Sequence, residues 1–138
     1  MKYLTENDWA LLRSKSSRMT YAAQQLIVAV NSRPTALFVL VRGSVTIEVQ
    51  RGTPIARLSP GDIFGEMAFV EDSVASASVV AETEAEVDAI DVNDIKEVFN
   101  LYPHLEARFY KSIALMLSQR LRQTSGMLTR TKSQTQNV

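Results

Sequence analysis

The sequence predicts a mainly β domain with flanking helices: a jelly-roll β-barrel behind a short N-terminal helix, closed by a C-terminal helix pair. Three observations carry that reading. Short β-branched and aromatic runs recur from Leu26 to Val92, each bounded by turn formers. They follow one another too closely for the crossover helices of a βαβ fold. At both ends the apolar spacing changes to three and four residues, as in amphipathic helices.

Thr5 opens the first helix, since its hydroxyl can accept from backbone N–H groups and Asp8 suits the positive first turn. Trp9, Leu11 and Leu12 give that helix an apolar face, and Arg13 to Arg18 reads as a polar, basic connection. Strands are expected at Leu26-Ile27-Val28 and Leu37 to Val41, broken by the turn Asn31-Ser32-Arg33-Pro34. Gly43 interrupts before Val45 to Val49, which alternates apolar and polar residues as a half-buried strand does. Arg51-Gly52 turns the chain into Ile55 to Leu58, and Ser59-Pro60-Gly61-Asp62 is a strong turn signal. Val79 to Ala81 and Val87 to Val92 complete the strands, separated by Glu82-Thr83-Glu84.

Helix returns with Asn93 as the expected cap of Asp94 to Phe99. From Pro103 a longer helix is expected to run to about Thr124. Along it Leu105, Phe109, Ile113, Met116, Leu117 and Leu121 form one stripe. Gly126 should weaken or end it, leaving residues 1–125 as the domain and 126–138 as a polar, flexible tail. Tyr21, Tyr102 and Tyr110 read as packing residues.

Composition narrows the function classes. The 138 residues are 46% hydrophobic, enough for one domain with a core, yet no apolar run approaches the roughly 18 residues of a membrane span. With no cysteine there is no disulfide, thiol nucleophile or cysteine-ligated metal, and one histidine leaves a metal site to carboxylates. Met1 to Glu6 lacks a secretory signal pattern, so cytoplasm is the expected location.

Net charge is zero but unevenly spread. Residues 61–97 hold Asp62, Glu66, Glu71, Asp72, Glu82, Glu84, Glu86, Asp88, Asp91, Asp94 and Glu97 against Lys96 alone. Residues 104–138 hold Arg108, Lys111, Arg120, Arg122, Arg130 and Lys132 against Glu106 alone. The basic helix reads either as a solvated face or as a contact for an acidic partner or a second copy. No DNA-reading element follows it in this chain. Enzyme chemistry lacks its parts: Ser73, Ser76 and Ser78 have no base, because His104 sits at a distant helix start, and no acid–base carboxylate pair stands out.

The most informative stretch is Ser59-Pro60-Gly61-Asp62-Ile63-Phe64-Gly65-Glu66-Met67-Ala68, followed by Ser73 to Ala81. With Leu37 to Val45 before it, and Val87 to Ile90 and Tyr102-Pro103-His104-Leu105 after it, this ordered set resembles the cyclic-nucleotide-binding domain family. That family includes catabolite activator proteins and protein kinase A regulatory subunits. The resemblance spans roughly Leu4 to Arg122 and implies cyclic AMP or cyclic GMP as ligand, with no further cofactor. It implies a binding cassette of Phe64, Gly65, Glu66, Met67, Ala68, Ala75, Ser76 and Ala77. Glu66 would take the ribose 2′-hydroxyl in a charge-assisted hydrogen bond, and Gly65 would let the backbone approach.

One position departs from the family's pattern. Its phosphate-gripping arginine falls on Ala75, and its Pro-Arg-Ala-Ala-Thr is here Val74-Ala75-Ser76-Ala77-Ser78. Losing a bidentate arginine costs about 3–5 kcal/mol, enough to turn a micromolar site into a roughly millimolar one. Arg33, Arg42, Arg51 and Arg57 are the basic residues on nearby strands and turns. Two readings stay open: a regulatory sensor whose ligand moves the C-terminal helix, or a degenerate domain serving dimerisation or protein interaction. In the family that helix pairs with its twofold mate, which implies a homodimer with Leu105, Phe109, Ile113, Met116, Leu117 and Leu121 as the seam and Arg120 and Arg122 flanking it.

Overall fold

The structure, a computed structural model, describes residues 1–71 and 73–136, without the side chains of Ala68 and residues 124–136. Among these, eight strands form two four-stranded antiparallel sheets. The strands are β1 (Ser17–Tyr21), β2 (Leu26–Val28), β3 (Ala36–Arg42), β4 (Val45–Gln50), β5 (Thr53–Leu58), β6 (Ile63–Phe64), β7 (Ser78–Ala81) and β8 (Ala85–Asp91). One sheet has the order β1-β8-β3-β6 and the other β2-β7-β4-β5, which is the expected jelly roll. Four helices accompany it: α1 (Glu6–Arg13), α2 (Glu66–Val70), α3 (Val92–Leu101) and α4 (Pro103–Gln136).

The central strand β3 explains why Ala36 to Val41 is apolar without alternation: both of its faces are covered. Leu37 and Val39 point to a core shared with the helices, beside Leu12, Ile90, Ile95, Phe99 and Phe109. Phe38 and Leu40 point into the barrel, beside Val45, Phe64, Val79 and Val87. Phe38 stacks on its register partner Phe64 with ring centroids 5.0 Å apart. The cassette is thereby fastened to the central strand.

Local chemistry sets the element ends. Thr5 Oγ1 accepts from the Asp8 N–H at 3.1 Å and Asp8 Oδ2 accepts from the Thr5 N–H at 3.0 Å, a reciprocal cap on α1. At the 59–62 turn, Asp62 Oδ2 accepts from the Ser59 N–H at 2.8 Å. Gly43 has φ +89°, and a Cβ there would sit 2.3 Å from the Glu84 carbonyl oxygen.

Several expectations need correction. The connection drawn from Arg13 to Arg18 ends early, because Ser17 and Arg18 already belong to β1. That edge strand buries Tyr21 alone, so it leaves no apolar alternation to read. Its place is set by register with β8 and by Arg18, whose Nε donates to Asp88 Oδ1 at 2.8 Å. The cap of α3 is Asp91, whose Oδ1 accepts from the Asn93 N–H at 2.8 Å, and Asn93 itself lies inside the helix. Helix α4 does not stop near Thr124 but continues through Gly126 to Gln136. A helical glycine costs about 1 kcal/mol yet keeps its N–H, and no proline follows to break the ladder. The expected tail thus falls largely on helix, and its side chains lie outside the described residues.

Part of the acidic run, Glu82, Glu84, Glu86 and Asp88, is paired with arginines of α1 and the strands. Buried Asp88 binds Arg13 at 2.7 Å and Arg18 at 2.8 Å, while Arg42 binds Glu84 and Glu86, each at 3.2 Å. Arg57 binds Glu82 at 2.8 Å. On α4, Arg108 holds the buried Asp8 with two 2.7 Å hydrogen bonds, and the Lys111 ammonium lies 4.4 Å from the centre of the Tyr3 ring.

The expected seam on α4 splits in two. Leu105, Phe109 and Ile113 are fully buried in the chain's own core, where Phe109 meets Phe69 and Phe99 edge to face. Met116 and Leu117 pack half-buried on the same core, and Leu121 is 68% exposed. The first three residues cannot line a seam with another subunit, because the barrel's helical face already covers them. Tyr21 is buried as expected, Tyr110 stacks on Phe69 with one side exposed, and Tyr102 is exposed rather than packed.

Candidate functional site

The site forms where β6 ends. Gly65 takes φ +81° as the N-terminal cap of α2, turning the chain so that the next side chain, Glu66, points inward. Glu66 is buried at 6% exposure, unusual for a carboxylate without a partner. Its partner comes from α4: Arg120 Nη1 donates to Glu66 Oε1 at 2.9 Å, and Arg120 Nη2 donates to the Ile63 carbonyl oxygen. The guanidinium thus grips both the carboxylate and the backbone at the mouth of the cassette.

Seven of the eight expected cassette residues meet at one small cavity of about 80 Å³: Phe64, Gly65, Glu66, Met67, Ala75, Ser76 and Ala77. The side chain of Ala68 lies outside the described residues. Val28, Ile47, Val79 and Pro34 supply apolar wall, and Arg120 closes one side. Beyond Arg120 opens a cleft of about 800 Å³ between β5 and α4, which shares Ile47, Glu66, Met67, Ser76 and Arg120 with the small cavity.

Ala75 is buried at 8% exposure and belongs to the barrel core. Its N–H donates to the Ser32 carbonyl and its own carbonyl accepts from the Asn31 N–H, both at 2.8 Å. The cassette loop is therefore pinned to the turn after β2, with a methyl group where the family's pattern has a guanidinium. Of the three serines, only Ser76 faces the cavity. Ser78 Oγ is occupied by the Val30 N–H at 3.0 Å, and the Ser73 hydroxyl is turned toward Glu71 at 3.4 Å.

The arginines considered as substitutes do not line the small cavity. Arg42 is held by Glu84 and Glu86, Arg51 lies 3.9 Å from Glu48, and Arg57 reaches only the outer cleft while bound to Glu82. Among the described lining residues the basic one is Arg120, which sequence reasoning had set beside the seam. A signal for it existed. Ile113, Leu117 and Arg120 are spaced by four and three, so Arg120 continues the buried stripe rather than flanking it.

His104 is exposed at the first turn of α4. Among the described residues no cluster of three or more His, Asp or Glu is placed to hold a metal ion, and no helix is long and apolar enough to cross a membrane.

The two-sheet jelly roll thus carries a Gly-Glu turn at a small cavity that a residue of the long C-terminal helix closes. The model of the cyclic nucleotide-binding domain family matches residues 18–102, and the chain belongs to that family of regulatory sensor domains. It is 28% identical over 123 residues to Cyclic GMP-binding protein C of Dictyostelium discoideum, covering 86% of this chain and 5% of that protein. It is 29% identical over 116 residues to the cAMP-activated global transcriptional regulator Vfr of Pseudomonas aeruginosa, covering 78% of this chain and 52% of that one. Among solved structures, a cyclic nucleotide-binding domain from Methylobacillus flagellatus superposes with a TM-score of 0.82 at 17% identity, over 93% of this chain and 74% of its own. The catabolite activator protein of Thermus thermophilus gives 0.73 at 26% identity, over 94% and 61%. The chain thus spans only a part, from a twentieth to about half, of the two curated relatives named.

Proposed function

We propose that the domain senses a cyclic nucleoside monophosphate, cyclic AMP or cyclic GMP, and reports it through α4. The single observation that carries this reading is the buried Glu66, presented by the Gly65 turn and held by a residue of α4. A ligand that engages Glu66 must alter the contact that fastens the helix, so binding and helix position are coupled. The names of the relatives, one a cyclic-GMP-binding protein and one a cAMP-activated regulator, support the ligand class.

Calorimetric titration with cyclic AMP and cyclic GMP tests it. Binding by the wild type that is lost in Glu66→Ala is the expected outcome. Ala75 favours a second reading, a pocket disarmed for nucleotide and kept for protein contact. A silent wild type beside a binding Ala75→Arg variant would establish it.

The domain acts in this proposal without catalysis of its own, in the cytoplasm, and as a homodimer. Dimerisation falls to the distal part of α4, where Leu121 is exposed and Met116 and Leu117 are half-buried. Sedimentation of the wild type beside Leu121→Glu checks that part: a dimer that dissociates in the variant supports it, and a monomeric wild type removes it.

A further inference from the structure

We infer that Arg120 supplies the positive charge for the ligand's phosphate that the family's pattern places at the position of Ala75. The inference rests on the cyclic-nucleotide reading above and names the group that makes it chemically workable. An anion entering the cavity of about 80 Å³ meets the Glu66 carboxylate, apolar walls and the Ala75 methyl, with Arg120 as the basic side chain among the described lining residues. Without Arg120 the phosphate would sit beside a buried like charge, which costs binding energy rather than adding to it.

The volumes point the same way. About 80 Å³ holds a few water molecules, whereas ligand sites for small organic molecules run to several hundred cubic ångströms. The adjoining cleft of about 800 Å³ has that room, and Arg120 and Glu66 line both spaces. A nucleotide arriving through the cleft, which Arg57 and Arg122 also line, therefore meets the ion pair where the two spaces join.

Entry breaks the Arg120–Glu66 contact and makes two new charge-assisted ones. Arg120 leaves Glu66 for the phosphate, and Glu66 accepts from the ribose 2′-hydroxyl, so neither buried charge loses its partner. Arg is suited to this exchange, since its planar fork presents five N–H donors.

The exchange also explains how the helix feels the ligand. Near its start α4 is fixed by the two 2.7 Å bonds from Arg108 to Asp8 and by fully buried Phe109 and Ile113. At Met116 and Leu117 its packing is partial, and Leu121 is exposed. A pull on Arg120 is thus taken up by the distal part of the helix.

The test is calorimetric titration of the full chain with cyclic AMP and, separately, adenosine, which lacks the phosphate. Cyclic GMP and guanosine form a second pair. Wild type should prefer the cyclic nucleotide. Arg120→Gln should weaken cyclic nucleotide binding roughly tenfold to a hundredfold while leaving the nucleoside nearly unchanged. Arg120→Lys should lie between, and adding Ala75→Arg to Arg120→Gln should restore the preference. Should Arg120→Gln melt early, the lysine variant and the double variant carry the comparison.

Two results overturn the inference alone: unchanged cyclic nucleotide binding in Arg120→Gln, or an equal loss for nucleotide and nucleoside. In both cases the sensor reading survives. A wild type that binds neither cyclic nucleotide removes both.

Discussion

Gly65 carries a conformational demand that no other residue meets cheaply. Its φ of +81° lies in the left-handed region, and a Cβ would stand 3.0 Å from both the Ala36 carbonyl oxygen and the Phe38 ring. Gly65→Ala should therefore cost about 1–3 kcal/mol. Urea denaturation of the two proteins checks it, and an unshifted midpoint would mean that the turn relaxes without strain. This residue and Glu66 were legible in the sequence because a glycine turn followed by an inward carboxylate is a local pattern. For Arg120 the spacing marked its place on the stripe but not its partner, since Glu66 lies 54 residues away and nothing adjacent marks the pair. Ala75 was legible as a departure, but the structure alone shows that it is pinned by Ser32 and Asn31 rather than left as an empty place.

Among the elements, α4 divides its work between core and solvent. Phe109 is fully buried among Phe69, Phe99 and Tyr110, so Phe109→Ala should destabilise the chain by about 3–5 kcal/mol. Leu121 is 68% exposed, and Leu121→Ala should stay within about 0.5 kcal/mol in the monomer. Chemical denaturation at low protein concentration separates them, and equal losses would contradict the division drawn here. Apolar spacing alone showed one stripe on this helix. It could not show that the first half faces the same chain, because a stripe has the same period whatever covers it. Strand β1 shows the opposite failure: an exposed edge strand fixed by register and Arg18 has no apolar rhythm to detect. The longer strands with an apolar face were readable, β3 most of all, whereas the two-residue β6 was not expected as a strand although both its residues are buried.

For the whole molecule, closure depends on contacts between the N-terminal segment and the first turns of α4. The Tyr3 N–H donates to Ser112 Oγ at 2.9 Å, and Arg108 grips Asp8 across 100 residues. Such long-range pairs are invisible to local sequence reading, although each partner's type was plain. Hydrogen bonding from Arg108 holds the Asp8 carboxyl down at about 2, against the usual 3.8. A carboxyl with a depressed folded value adds stability above its unfolded value of about 4. That contribution is lost as the pH falls through about 2. An unscreened shift of this size corresponds to about 2.4 kcal/mol, but the Arg108 side chain is 40% exposed, so about 1 kcal/mol is the expected share. Asp88, held down by Arg18 and Arg13, acts in the same direction. Urea denaturation of wild type and Asp8→Asn, repeated from pH 5 to pH 2, isolates the first pair. Wild type should lose stability across that window and the variant should lose less, with the remaining slope assigned to groups such as Asp88. Parallel curves would show that the N-terminal segment and α4 are joined by packing alone, and that the Asp8–Arg108 pair adds geometry without adding stability.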